Sequence, residues 1–262
     1  MTLLSVLAET EAGHVELPIP AFFFGLTLQL YIPAFICGAL AIAAVLWWMW
    51  DSDPAPLPQT IDIGGGIRLP AYVSGPMSHS WWAMIVLTLV AGALFACLVF
   101  SYLFLWLAQP AHWPTAAALP GMAWPLLSGA LYAASGGALA FAAQRLPSAG
   151  ERGAWPFRLL LLLAVPLLAG AVCVEIAGQR ATGLNPVDSA YAAAVYAFCA
   201  LNAFFAATLA VMALFTTAKS FAGRIDAVRR VTFDNTRLLW NYAVAQGLIG
   251  LAVVHIFPRV AG

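Results

Sequence analysis

Six stretches of this chain are each long and apolar enough to cross a lipid bilayer: Phe22 to Trp50, Trp81 to Ala108, Met122 to Gln144, Phe157 to Gly178, Ala190 to Thr216 and Leu238 to Phe257. A helix needs about 20 apolar residues to cover roughly 30 Å of hydrocarbon. The pattern therefore predicts an all-α integral membrane bundle of about six transmembrane helices. The first stretch would rise about 43 Å as one helix and contains Pro33. It reads either as one tilted crossing or as a short interfacial piece ahead of a span starting near Tyr31. A seventh crossing within residues 1–30 would move only the N-terminus.

Composition supports the same class, with 63% hydrophobic and only 8% charged residues, against about 25% charged in soluble domains. Eleven basic and eleven acidic residues cancel, so no global field recruits nucleic acid or an acidic substrate. Aromatic residues gather at the segment ends, among them Trp47, Trp48, Trp50, Trp81, Trp82, Trp106, Trp113, Trp124 and Trp155. Amphipathic rings at that depth form the aromatic belt expected at a membrane surface.

Charge position gives an orientation. Six crossings put Arg68, Arg145, Arg152, Arg158, Lys219, Arg224, Arg229, Arg230 and Arg237 on one side, with only Arg180 and Arg259 on the other. The positive-inside rule makes the first side cytoplasmic, so both termini are expected in the periplasm of a multi-pass bacterial inner-membrane protein. Residues 1–20 hold acids and prolines where a cleavable signal would carry a basic start and an apolar core, so no such signal is expected. The chain divides by composition into a tail with the first helix (1–50), a Pro/Gly-rich cytoplasmic loop (51–80) and a five-helix bundle (81–262). That loop is expected to be irregular. Its IGGGI run lacks the preceding strand, the following helix and the Lys-Ser/Thr ending of a phosphate loop.

The residues able to do chemistry are few and scattered. Cys37, Cys97, Cys173 and Cys199 lie singly in apolar runs without metal spacing and read as small buried hydrophobes. His14, His79, His112 and His255 fall at different depths, so no haem or metal is expected in this chain, since a bis-histidine haem needs two at one depth. Glu175 is the only acid inside a predicted span. An intramembrane acid is a candidate functional residue, but Arg180 lies five residues on, and the alternative is snorkelling or a local ion pair.

Small residues are dense, as in AGALFAC and SGGALAFAA. Helices associate in lipid through close packing of small side chains and interhelical hydrogen bonds, so Asn202, Asn241 and Gln246, with Glu175, are expected to be interhelical polar contacts. At the start of the last span, Asp234 or Asn235 is expected to cap a helix whose first turn holds Arg237. Arg229, Arg230, Arg237 and Trp240 would then form a site for an anionic phospholipid, because guanidinium groups bind phosphate bidentately. Alternatively, these arginines only mark topology.

Three pieces carry a resemblance: SHSWWAMIVLTLVAGALFACLVFSYLFLW (78–106), GLNPVDSAYAAAVYAF (183–198) and GRIDAVRRVTFDNTRLLWNYAVAQGLIGLAVVHIFPRVAG (223–262). They resemble, in matching order from about residue 60 to the end, subunit III of haem-copper cytochrome oxidases, and most of all the branch in which subunits I and III are fused. Residues 1–50 resemble the segment that follows the catalytic subunit in such fusions. The resemblance implies a subunit III-like fold and a non-catalytic accessory subunit of a proton-pumping terminal oxidase in aerobic respiration. It implies a catalytic partner, subunit I, which would carry the haem and copper, with subunit II as a further partner and bound membrane phospholipid. The sequence departs from the family at three places: Leu89 to Ala93 lack the usual mid-helix glutamate, Asn202 stands in a region where histidine is usual, and Asn241 follows Trp240 where the family has histidine. An independent small-solute transporter or membrane assembly factor is the other reading, with Glu175 and the amides lining a path.

Overall fold

The computed structural model describes residues 36–51, 60–70, 76, 78–110, 113–147 and 154–261. The chain falls into two compact units, Met1–Ala55 and Pro56–Gly262. The described part of the first is one apolar helix, α1 (Ile36–Asp51), with Trp47 and Trp48 exposed near its end. The rest of the predicted first span, including Pro33, lies outside the described residues.

The second unit opens with a two-stranded antiparallel hairpin, β1 (Thr60–Asp62) and β2 (Arg68–Pro70), paired Thr60 to Pro70 and Asp62 to Arg68. This part of the loop is therefore ordered as strand, contrary to expectation. The reason lies in IGGGI: Gly64, Gly65 and Gly66 have φ of 96°, 65° and 77°, a backbone region that residues with a Cβ adopt rarely. Asp62 Oδ1 accepts the Gly64 N–H at 2.8 Å, closing the turn.

Five helices of the second unit are long and apolar enough to cross a membrane: α2 (His79–Ala108), α3 (Ala123–Gln144), α4 (Trp155–Ala181), α5 (Ala190–Phe221) and α6 (Val231–Leu251), the last continuing through a π turn (Ala252–Ile256) into α7 (Phe257–Ala261). The protein is a multi-pass membrane protein, and its described residues are all-α apart from the hairpin. Two of these starts carry a side-chain cap: Ser78 Oγ accepts the Trp81 N–H and Ser189 Oγ the Ala192 N–H, each at 3.1 Å. Pro166 sits inside α4 without ending it.

Neighbouring helices run in opposite directions, so the bundle has two ends. At the basic end, buried Arg158 at the start of α4 donates to Ser220 Oγ (3.0 Å) and Ser220 O (2.7 Å) at the end of α5, with its guanidinium 4.3 Å from the Phe221 ring centroid. Asn235 at the start of α6 donates to Ser80 Oγ at the start of α2 (3.1 Å). Ala227 N–H reaches back to Pro147 O (2.9 Å). At the opposite end, Trp113 Nε1 donates to Tyr102 OH (3.3 Å) within a cluster that includes Tyr191, Phe198 and Phe257.

The helices pack through small residues. A Cβ on Gly178 would lie 2.9 Å from Trp124 Cβ, and one on Gly247 would lie 2.6 Å from Tyr132 Cζ. Large side chains thus seat directly on neighbouring backbone, as expected where lipid removes the hydrophobic drive between helices. α6 packs against α2, α3 and α5, and α5 packs against α2, α4 and α6. By contrast α2 buries only Ala91 and Tyr102 of its 30 residues. Of the four free cysteines only Cys199 is buried; Cys37, Cys97 and Cys173 are exposed on apolar helices, which corrects their reading as buried side chains.

Topology has a direct check. Single cysteines at exposed Ala227 and Val187, in a chain whose native cysteines are alanine, are expected to label from opposite faces of an intact membrane, Ala227→Cys from the cytoplasm. Labelling of both from one face is the contrary result.

Candidate functional site

Two polar groupings hold the residues singled out in the sequence. The first is deep in the bundle, where α3, α4, α5 and α6 each present one polar side chain. Glu175 Oε2 accepts from Asn202 Nδ2 (3.2 Å) and Tyr132 OH (3.5 Å), and Gln246 Nε2 donates to Asn202 Oδ1 (3.1 Å). Glu175, Asn202 and Gln246 are 2%, 5% and 2% exposed. Three predicted interhelical contacts therefore meet in one network, and Tyr132, missed in the sequence, completes it. The one sequence signal for Tyr132 is its place in the middle of the span Met122 to Gln144, away from the belt aromatics at the segment ends.

Two expectations fail here. Glu175 neither snorkels nor pairs with Arg180: it points into the bundle, whereas Arg180 is exposed. Asn241 is not an interhelical contact, since it is exposed and lines a surface groove. The helical period explains this, as Trp240 and Gln246 occupy the buried face and Asn241 lies about 100° round from Trp240.

The second grouping is at the basic end. A groove of about 440 Å³ is lined by Pro76, Trp81, Arg230, Asp234, Arg237, Leu238 and Asn241. Arg230 forms a forked pair with Asp234, with Nη2 to Oδ1 at 2.8 Å, an i, i+4 contact along the first turns of α6. Arg229 does not reach the groove lining: it pairs with Asp226 (2.8 Å) and donates to Gly223 O (2.9 Å). Asp226 organises this turn, its Oδ1 accepting from Val228 N (2.9 Å) and Arg229 N (2.7 Å). Burial disfavours the charge of Asp226, but the Arg229 and Val228 hydrogen bonds and the Arg229 guanidinium outweigh it and hold the carboxyl below its usual range. The turn's stabilisation is therefore present above the unfolded carboxyl range and is lost as pH falls through the folded one.

The predicted lipid site needs two corrections. Trp240 is completely buried, its Nε1 donating to Ser135 Oγ at 3.3 Å, so it is a core residue; Trp81 of α2 takes the place beside the arginines. The helix also starts earlier than expected, at Val231 with Arg230 as N-cap. Neither Asp234 nor Asn235 caps it, and Arg237 lies in the second turn. The shift arises because Asp226 already closes the preceding turn, leaving Asp234 inside the first turn, where a carboxylate suits the helix dipole.

His79 and His255 stand at opposite ends of the bundle, and His14 and His112 lie outside the described residues. Among the described residues, no three His, Cys, Asp or Glu side chains group as metal ligands. No protein-family model matches the chain, and no curated protein matches it.

Proposed function

We propose that the chain is a non-catalytic accessory subunit, of the subunit III type, in a proton-pumping haem-copper terminal oxidase of a bacterial plasma membrane, packing beside subunit I with subunit II in the same complex. The observation that carries this reading is how residues 223–262, the segment of most specific resemblance, are used. Their helix α6 packs against three others, α2, α3 and α5, and its Trp240, Gln246 and Gly247 all serve helix contacts. A transporter would need polar side chains facing a path through the bundle. Here Glu175 and Gln246 each bond Asn202 between the helices. Such a chain adds a stable surface and a lipid site to a partner that performs the redox chemistry.

Purification of the tagged chain from its own membranes in mild detergent tests this. A larger haem-bearing partner in fixed ratio is the expected result. A chain recovered alone, monodisperse and without haem absorbance, defeats the proposal.

The groove is proposed as the phospholipid site. Arg237 makes no hydrogen bond or ion pair among the described residues, while Trp81 and Leu238 give an apolar wall for an acyl chain. Arg237→Ala is expected to reduce anionic lipid retained in native mass spectrometry about tenfold, the size of one charge-assisted hydrogen bond. Arg229→Ala, outside the groove lining, is expected to leave retention unchanged. Equal losses for the two variants would reduce the arginines to topology markers.

A further inference from the structure

At the end opposite the groove, three buried side chains from three helices carry polar atoms without partners: Gln179 Oε1, Tyr191 OH and His255 Nδ1, on residues 0%, 4% and 2% exposed. The backbone brings them together. α6 passes into the π turn Ala252–Ile256, and a π turn widens a helix and re-aims its side chains, often at functional sites. His255 Nε2 is thereby set 3.4 Å from Gln179 Nε2, leaving the Gln179 oxygen free. Native structures leave few buried polar atoms unpaired, so three in one place point to a missing partner.

There is room for one. Gln179 and Tyr191 line a cavity of about 200 Å³, and a second of about 160 Å³ adjoins it, the two sharing Asp188 and Tyr191, with Trp113 walling the second. Asp188 is exposed at the mouth; its Oδ1 accepts from Asn185 Nδ2 at 3.2 Å, and its Oδ2 has no bond among the described residues. Trp113 packs edge to face on Tyr191 with ring centroids 5.2 Å apart. Its indole N–H is already directed to Tyr102 and offers no donor to the cavity.

A carboxylate, aromatic rings and unpaired acceptor oxygens together suit a cation that also carries N–H donors. Arg259 also faces this region, and its guanidinium donates to the carbonyl oxygens of His255 and Pro120. Arg180 is exposed beyond the cavity lining. We propose that the junction of the two cavities, at Asp188, Tyr191, Trp113 and Gln179, binds a primary ammonium group, supplied by a small amine or by the headgroup of an aminophospholipid. This inference stands independently of the oxidase reading.

The test uses the full-length protein as purified, with any partner it retains. In detergent free of aminophospholipid, ethanolamine is expected to raise the unfolding midpoint saturably, and choline, which has no N–H donors, to do so less. In nanodiscs of mixed phosphatidylethanolamine and phosphatidylcholine, native mass spectrometry is expected to show selective retention of the former if the headgroup is the source. A response to ethanolamine without that selectivity assigns the site to a small amine. Asp188 is exposed, so Asp188→Asn preserves the fold, and it is expected to weaken whichever response is seen about tenfold. The proposal is overturned if neither ethanolamine nor the aminophospholipid binds, or if Asp188→Asn leaves the response intact.

Discussion

Trp240→Ala is expected to be the most damaging single truncation in the bundle, lowering stability by about 3 kcal/mol. The side chain is fully buried and is the largest of those with no exposed surface. It belongs to the core shared by α3, α4, α5 and α6, and its Nε1 donates to Ser135 Oγ. In water the loss would reach about 5 kcal/mol, but lipid removes part of the transfer contribution because the displaced helix still meets an apolar solvent. The cavity and the lost contacts remain. Trp240→Phe keeps most of the volume and gives up one hydrogen bond, so it is expected to cost only about 1 kcal/mol. Thermal unfolding in detergent measures both. The pair also separates the core role from the lipid role that the sequence suggested: folded Trp240→Phe protein should retain anionic lipid like the parent. A selective loss of that lipid in a normally stable Trp240→Phe protein would return the residue to the site.

The second large effect is expected at Gly247. A methyl group there would meet Tyr132 Cζ at 2.6 Å and Cε1 at 2.7 Å, inside the closest approach that real side chains show. Tyr132 is 2% exposed, so its ring has little room to withdraw. Withdrawal would also take its hydroxyl from Glu175 and leave that carboxyl with fewer donors. Overpacking of this kind costs about 1–3 kcal/mol, and Gly247→Leu more, because α6 itself must move from α3. Gly137 in α3 supplies the comparison, since a Cβ there meets nothing within 4 Å. Gly137→Ala is therefore expected to be neutral or stabilising by up to about 1 kcal/mol through helix propensity. If Gly137→Ala and Gly247→Ala shift the unfolding midpoint alike, close packing at Gly247 does not hold the helices together.

Much of this molecule was legible as a line of letters because the bilayer permits few solutions. Runs of about 20 apolar residues must become helices to satisfy their own backbone groups, so five of the predicted spans reappear in the described residues with ends displaced by a few positions. The largest displacement is at α6, which begins seven residues before Leu238. Hydropathy misses the segment VTFDNTR because Asp234, Asn235 and Arg237 lower its average, although Asp234 pairs with Arg230 just ahead of the helix and Phe233 and Thr236 face the core. IGGGI likewise reads as loop, and only the positive φ of three successive glycines shows it as the turn of a hairpin.

Which polar residues meet depended on tertiary packing. Composition alone marks Glu175, Asn202, Gln246 and Asn241 as costly in lipid, yet the first three form one network and the fourth faces a groove. The difference is helix rotation, fixed by where glycine admits a neighbour's ring: Tyr132 on Gly247 sets α6 against α3, and Trp124 on Gly178 sets α3 against α4. The group at the opposite end had one sequence signal, Gln179 one turn after Glu175 on the same face of α4. Its junction with Tyr191 and His255 depends on the π turn, a backbone feature with no sequence pattern of its own. The sequence determined the helices and the sides on which charge accumulates, through the cost of exposing backbone and charge to hydrocarbon; the tertiary structure decided which buried atoms find partners, because that depends on contacts a few tenths of an ångström from collision.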